Sequence, residues 1–268
     1  NVKKKDKRMI IWDVSPEILS IGPFTVRWYG LLFASSFFTG FLIIQWVFKQ
    51  ENKPEKDLDE LLLYMIIGTL LGARLGHSIF YDPVYYFSSP VRILKVWEGG
   101  LASHGGAIGI FLALYIYARR KPDQEYLWLL DRMAIVVALG GFFIRLGNLF
   151  NSEIVGKPAA VAWAFIFTRV DMIPRHPTQL YEASAYLIIF IMLIKIYLIK
   201  RNKIAPSLLL GTFLVNVFTF RFFVEFLKEN QSGFEAGMPI NMGQILSIPL
   251  ILFGIIILIR IKTGKSGN

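Results

Sequence analysis

Apolar residues arrive in long unbroken runs rather than at strand or surface-helix spacing. A membrane-crossing helix needs about 20 mostly apolar residues. Seven stretches meet or approach that length: 25–48, 60–81, 104–118, 126–146, 179–199, 207–227 and 243–260. The third is short, and it opens on His104. The pattern therefore predicts an all-α polytopic membrane protein. It has about seven transmembrane helices and forms one domain over residues 1–268. No stretch reads as a cleaved signal peptide, since the first apolar run leads straight into a helix.

The connectors set an orientation. KQENKPEKDLDE, ARRKPDQ and KRNKIAP are short and rich in Lys and Arg, as is the C-terminal tail IRIKTGKSGN. By the positive-inside rule these face the cytoplasm. The connectors 82–103, 147–178 and 228–242 are longer and less basic, and face outward. Seven spans then put the N-terminus outside. The basic opening NVKKKDKR opposes that assignment. Segment 147–178 exceeds an ordinary connector. With Trp163, Phe165 and Phe167 it is expected to form a small outward-facing cap.

Composition narrows the class. Only 18% of the 268 residues are charged, against about 25% in soluble domains. The net charge of +10 would point to nucleic acid in a soluble protein. Here it sits in the connectors, where it serves topology and anionic membrane lipid. There is no cysteine, which excludes disulfides, thiolate metal sites and a cysteine nucleophile. Three scattered histidines and no paired carboxylate motif give no metal site. Gly-x-Ser-x-Gly is absent, which disfavours a serine hydrolase. No nucleotide-binding Gly-x-x-x-x-Gly-Lys loop is present.

Charges inside hydrocarbon are expensive, yet the spans hold Arg74, His77, Asp131, Arg132, Arg145, Glu182, Arg221 and Glu225. They form either a polar chamber or a set of structural pairs. Arg221 and Glu225 share one helix face at i, i+4, which suits a structural ion pair as well as a site. Arg145 precedes the amide-rich LGNLFNSE, a helix end that packing alone does not call for. Arginine grips phosphate bidentately. Two arginines on different helices therefore suit a lipid phosphate. His104 stands among Gly99, Gly100, Gly105 and Gly106. Histidine is the side chain best matched to proton transfer near neutral pH, and glycines allow a headgroup close approach. A histidine at a helix start is equally compatible with a structural role.

These motifs together resemble bacterial prolipoprotein diacylglyceryl transferase. SIGPFTVRWYG at 20–30, LGARLGHSIFY at 71–81, VWEGGLASHGG at 96–106, RLGNLFNSEIVGKP at 145–158, RHPTQLYEA at 175–183, FRFFVEFLKE at 220–229 and MGQILSIP at 242–249 occur in the family's order. The resemblance implies an enzyme of the bacterial inner membrane acting at the outer leaflet, with its C-terminus cytoplasmic. It implies transfer of the diacylglyceryl group of phosphatidylglycerol to the lipobox cysteine of a preprolipoprotein, giving a thioether and glycerol phosphate with no cofactor. The thiol is the substrate's.

Carried over residue by residue, the resemblance assigns catalytic roles to His104, Arg145 and Arg221. It assigns substrate binding to Tyr29, Asn148, Glu153, Gly156 and Glu225. Arg74, Gly105 and Gly106 join that set from the reading of the spans. The chain departs from the pattern at Ile144 and Ser152, where the family often has glycine, and at His77 and Val217, where it often has tyrosine. The alternatives are a lipid or anionic-solute transporter using the same arginines, for which no inverted repeat is evident, and a membrane scaffold. Neither produces a thioether.

Overall fold

In the computed structural model, residues 9–22, 24–95, 99–200, 203–230 and 237–264 are described. The basic run 1–8, which opposes the N-terminal assignment made from the connectors, lies outside them. A helix stands at each predicted apolar stretch. The long helices are α1 (Trp28–Gln50), α2 (Leu58–Phe80), α5 (Ser103–Arg120), α6 (Tyr126–Asn151), α7 (Thr178–Lys200), α8 (Leu208–Val224) and α9 (Met242–Lys262). Two short helices, α3 (Pro83–Phe87) and α4 (Val91–Leu94), lie between α2 and α5.

Five of these segments are long and apolar enough to cross a membrane: Trp28–Gln50, Tyr126–Asn151, Thr178–Lys200, Leu208–Leu227 and Met242–Lys262. Helices α2 and α5 are not among them. The first opens on Asp59 and Glu60 and carries Arg74 and His77 near its end. The second has 18 residues and ends on Arg119 and Arg120.

The all-α expectation needs correction, because the described residues also hold five short strands. A scan for apolar runs of about 20 residues is blind to them. Strand β1 (Ile10–Trp12) runs parallel to β4 (Phe165–Phe167), which pairs antiparallel with β5 (Pro174–Arg175). Strands β2 (Glu17–Ile21) and β3 (Phe24–Arg27) form a hairpin. Residues 25–27, read as the start of the first span, therefore belong to β3, and the helix begins at Trp28.

The chain divides into two compact units, one made of residues 1–40 and 134–268, the other of residues 41–133. In the second unit α2 packs on α5 through small residues. A Cβ added at Gly76 would lie 2.7 Å from the Gly105 Cα, and one at Gly68 2.6 Å from the Ala113 Cβ. Such stripes let helix backbones approach closely where lipid gives no hydrophobic drive for association.

The polar ends of this unit are satisfied internally. Buried Asp57 accepts from Lys121 at 2.6 Å and from Gln124 at 2.9 Å. Arg132 grips Glu51 through two nitrogens, both at 3.0 Å, and the Trp128 indole donates to the same carboxylate. This fork accounts for Arg132 as a structural residue.

In the first unit α7, α8 and α9 pack in sequence. Gly254 approaches Gly211, where a Cβ would stand 3.0 Å from the carbonyl oxygen. An Asn241–Gln244 capping box starts α9 and supplies two of the hydrogen bonds its first turn lacks. Segment 147–178 folds around a small core of Leu149, Phe165 and Phe167, with Trp12, Val155 and Leu180 against it. The Trp12 indole donates to the Leu149 carbonyl at 3.1 Å, tying β1 to the end of α6.

Candidate active site

The last turns of α6 place Arg145 and Asn148 on one face. Arg145 Nη1 donates to Asn148 Oδ1 at 3.1 Å, and Asn148 Nδ2 donates to Glu153 Oε2 at 3.2 Å. The other oxygen of Glu153 accepts from Asn151 at 3.2 Å. Between them the chain reverses through Ser152 and Ile154, whose φ angles are 55° and 56°. Residues other than glycine rarely adopt this left-handed conformation, β-branched ones least of all. It persists where surrounding contacts overdetermine it. Here the start of α7 does so: Thr178 Oγ1 donates to the Ile154 carbonyl at 2.9 Å, and Gln179 Nε2 to that of Glu153 at 2.7 Å. The result is an exposed Glu153 carboxylate beside a buried arginine.

Behind Arg145 lies a chain of buried charges. Its Nε stands 3.1 Å from Oε2 of Glu182, which is fully buried on α7. The same oxygen is 3.0 Å from Lys228 Nζ, and neither cation approaches it along a hydrogen-bonding direction. Lys228 is 1% exposed and reaches Glu225 Oε1 at 2.9 Å. Asn241 donates to the other oxygen of Glu225 at 3.1 Å. Arg221 completes the series at 3.8 Å from Glu225, with a side chain 25% exposed. Among the described residues this loose pair is the closest ionic contact of Arg221. The pairing makes these charges tolerable at membrane depth, since a buried ion without its partner costs about 3–5 kcal/mol.

The glycines in the motifs act as seats. A Cβ at Gly147 would fall 2.8 Å from the Tyr29 ring, so its absence lets that ring lie over α6. A Cβ at Gly243 would stand 2.6 Å from Glu225 Oε1. Gly156 is wedged between His176 and Leu227, with a Cβ 2.5 Å from one carbonyl oxygen and 2.9 Å from the other.

The second unit holds the remaining predicted residues. His104 stands in the first turn of α5, half-buried, with its ring edge-on to Phe80 at 5.3 Å and beside Tyr81 at 5.9 Å. Tyr81 stacks on His77 at 5.3 Å. His77 thus fills its position with a flat ring. Gly105 and Gly106 face α2, where the nearest atoms to an added Cβ belong to Gly72, Gly76, Ala73 and Thr69. Gly105 thereby lets α2 and α5 approach closely, while a Cβ at Gly106 would make only ordinary contacts, the nearest at 3.6 Å.

Arg74 is likewise engaged. Its guanidinium donates to the carbonyls of Ile93 at 3.0 Å, Arg92 at 2.6 Å and Lys95 at 2.9 Å, to that of Gly99 and to the Tyr86 hydroxyl. It anchors the segment carrying α3 and α4, and its donors are spent there. Among the described residues no three His, Asp or Glu side chains gather as metal ligands.

A family model described as prolipoprotein diacylglyceryl transferase matches residues 16–260. The chain belongs to the prolipoprotein diacylglyceryl transferase family. A curated relative from Chloroherpeton thalassium, named phosphatidylglycerol–prolipoprotein diacylglyceryl transferase, is 50% identical over 251 residues, covering 94% of each chain. Relatives of the same name from Tolumonas auensis and Bacteroides fragilis are 47% and 44% identical, covering 96% and 92% of this chain and 100% and 93% of their own. The transporter reading finds no support among these relatives.

For this member of the transferase family, Arg145, Asn148, Glu153, Arg221 and Glu225 form one network with the first unit's core, and Tyr29 and Gly156 are in the same unit. Lys228 was missed as a site residue, and Glu182 was noticed only as an intramembrane charge. Both lie inside the quoted motifs RHPTQLYEA and FRFFVEFLKE. The i, i+3 spacing of Glu225 and Lys228 was the available signal.

Proposed function

We propose that this protein transfers the diacylglyceryl group of phosphatidylglycerol to the lipobox cysteine of a preprolipoprotein, the first step of lipoprotein maturation. The observation that carries the reading is the chain of charges that runs from Arg145, beside Asn148, through Glu182, Lys228 and Glu225 to the partly exposed Arg221. It offers two guanidinium forks, charge-compensated by carboxylates, to a lipid phosphate.

The substrate thiol loses its proton and attacks the diacylglyceryl carbon bonded to the phosphate oxygen. The S–C bond forms as the C–O bond breaks. The bonding pair leaves on that oxygen, releasing glycerol phosphate. Thiolate is the reactive form, and His104 takes the proton. Arg145 and Arg221 bind the phosphate and hold the charge that grows on the leaving oxygen. Tyr29, Asn148, Glu153, Gly156 and Glu225 shape the lipid's seat. Arg74, Gly105 and Gly106 contribute by fixing the backbone around His104. No cofactor takes part.

The protein is one integral domain of the bacterial inner membrane with seven spans. Helices α2 and α5 cross along with the five more apolar ones. Segment 147–178 forms an outward-facing cap over the outer leaflet, and the C-terminus is cytoplasmic. Phosphatidylglycerol and the signal peptide, itself a membrane helix, enter from the bilayer.

Purified protein incubated with phosphatidylglycerol and a lipobox peptide tests this. Mass spectrometry should show a diacylglyceryl gain that requires the peptide cysteine. His104→Gln should slow the gain and flatten its pH profile. Folded protein that produces no gain from phosphatidylglycerol refutes the activity. Normal turnover in His104→Gln refutes the base.

A further inference from the structure

We infer that Lys228 sets the net charge of the buried network and thereby selects a lipid whose headgroup carries one uncompensated negative charge. The inference rests on the reading of this cluster as the lipid phosphate site. Lys228 is the most deeply buried of the three cations, with a side chain at 0% exposure. It bridges Glu182 at 3.0 Å and Glu225 at 2.9 Å, the two carboxylates that pair with Arg145 and Arg221.

The charge count is direct. Arg145, Arg221 and Lys228 give three positive charges, and Glu182 and Glu225 give two negative, which leaves one positive. Asn148, Tyr186 and Asn241 are neutral neighbours. Glu153 lies outside this buried cluster, joined to it through the neutral Asn148, and is exposed, where water screens its charge. Without Lys228 each arginine would be matched by its own carboxylate and the cluster would be neutral. With it, both carboxylates are shared, and the loosely held Arg221 keeps its charge for a ligand. A phosphodiester bearing a neutral alcohol completes the balance. A zwitterionic headgroup brings its own ammonium and overfills it, at a cost from like charges in a poorly screened site.

Lys228 acts through the arginines and is a positioning residue. Its test reads lipid selectivity, which a purely structural role would leave unchanged. Native mass spectrometry of detergent-purified protein, titrated with a mixture of phosphatidylglycerol and phosphatidylethanolamine, gives both affinities in one sample. At an effective dielectric of about 20, a unit charge acting over about 8 Å is worth about 30-fold in affinity. Lys228→Met should lose about that factor for phosphatidylglycerol and bring the two lipids near parity. Lys228→Arg should keep the preference. Lys228→Met combined with Glu182→Gln restores the count to one positive charge and should recover it.

Lys228→Met protein with a wild-type melting profile and unchanged selectivity overturns the inference. A double variant that is folded yet unselective overturns it as well. Wild-type protein that selects phosphatidylglycerol but makes no thioether would refute the proposed activity and leave the charge rule standing.

Discussion

Arg145→Lys separates charge from geometry at the centre of the site. The substitution keeps one positive charge near Glu182, so the buried carboxylate retains a partner. It removes the fork. Nη1 no longer reaches Asn148 Oδ1, now 3.1 Å away, and Asn148 is 5% exposed. A buried acceptor left without its donor costs about 1–3 kcal/mol, and that loss falls on stability and on the aim of Asn148 toward Glu153. The phosphate contact changes from two parallel bonds to one. Losing one charge-assisted hydrogen bond costs about 1.5–3 kcal/mol, which is about 10- to 150-fold in rate where the bond acts in the transition state. The assay is the initial rate of diacylglyceryl transfer to a lipobox peptide at varied phosphatidylglycerol, with a thermal melt of the same protein. The expected result is a fall in kcat/KM within that range in a protein that still melts cooperatively. Activity within threefold of the parent would show that a point charge suffices and that the fork carries no part of the chemistry.

Three further outcomes follow from the packing. Gly72→Ala should lower stability by about 1–3 kcal/mol, because its Cβ would meet the Gly105 carbonyl and lie 2.7 Å from the Gly109 Cα. Gly40→Ala, which meets only the Val136 Cβ at 3.6 Å, should melt like the parent, and equal melts in the two variants would contradict the packing argument. Ser152→Gly should stabilise by about 0.5 kcal/mol, since relief of left-handed strain outweighs added chain entropy and a buried hydroxyl without a partner is removed; a destabilised variant in a chemical melt would refute it. Hydrogen bonding from Arg175 holds the Asp171 carboxyl below its usual value of 3.8. A depressed carboxylate stabilises above its unfolded value and loses that contribution as pH falls through the lower folded one. Limited proteolysis of segment 147–178 should therefore accelerate in that acid window in the parent and show a flatter profile in Asp171→Asn.

The long helices were legible because hydrocarbon enforces uninterrupted apolar length, and each of the seven runs became a helix. The strands were not, because three-residue pairings such as Ile10–Trp12 with Phe165–Phe167 bring together segments more than 150 positions apart. No local periodicity reports that. The members of the network were legible as residue types: Arg145, Arg221 and Glu225 interrupt apolar runs, and Asn148 stands in the amide-rich stretch that follows one. Its connectivity was not, since the pairing of Arg145 with Glu182 depends on how α6 meets α7. Lys228 was hidden by position. It falls just past the end of an apolar run, where a lysine reads as an ordinary interfacial anchor, and only the fold shows it turned inward onto two carboxylates.

The motif glycines carry the same lesson further. Read as sequence, Gly105 marks flexible backbone that lets a headgroup approach, and Gly147, Gly156 and Gly243 stand inside the quoted motifs. In the fold none of the four has a positive φ, so conformational freedom is not what they supply. Each supplies absent volume: for a neighbouring helix at Gly105, for the Tyr29 ring at Gly147, for two crossing strands of backbone at Gly156 and for the Glu225 carboxylate at Gly243. Left-handed backbone is found instead at Gly99 and Gly100, and at Ser152 and Ile154, where Thr178 and Gln179 hold the turn. The rigid placement of Tyr29, Asn148, Glu153 and Glu225 therefore comes from close packing around missing side chains. A substitution at Gly147 or Gly243 should displace a site residue before it unfolds the protein.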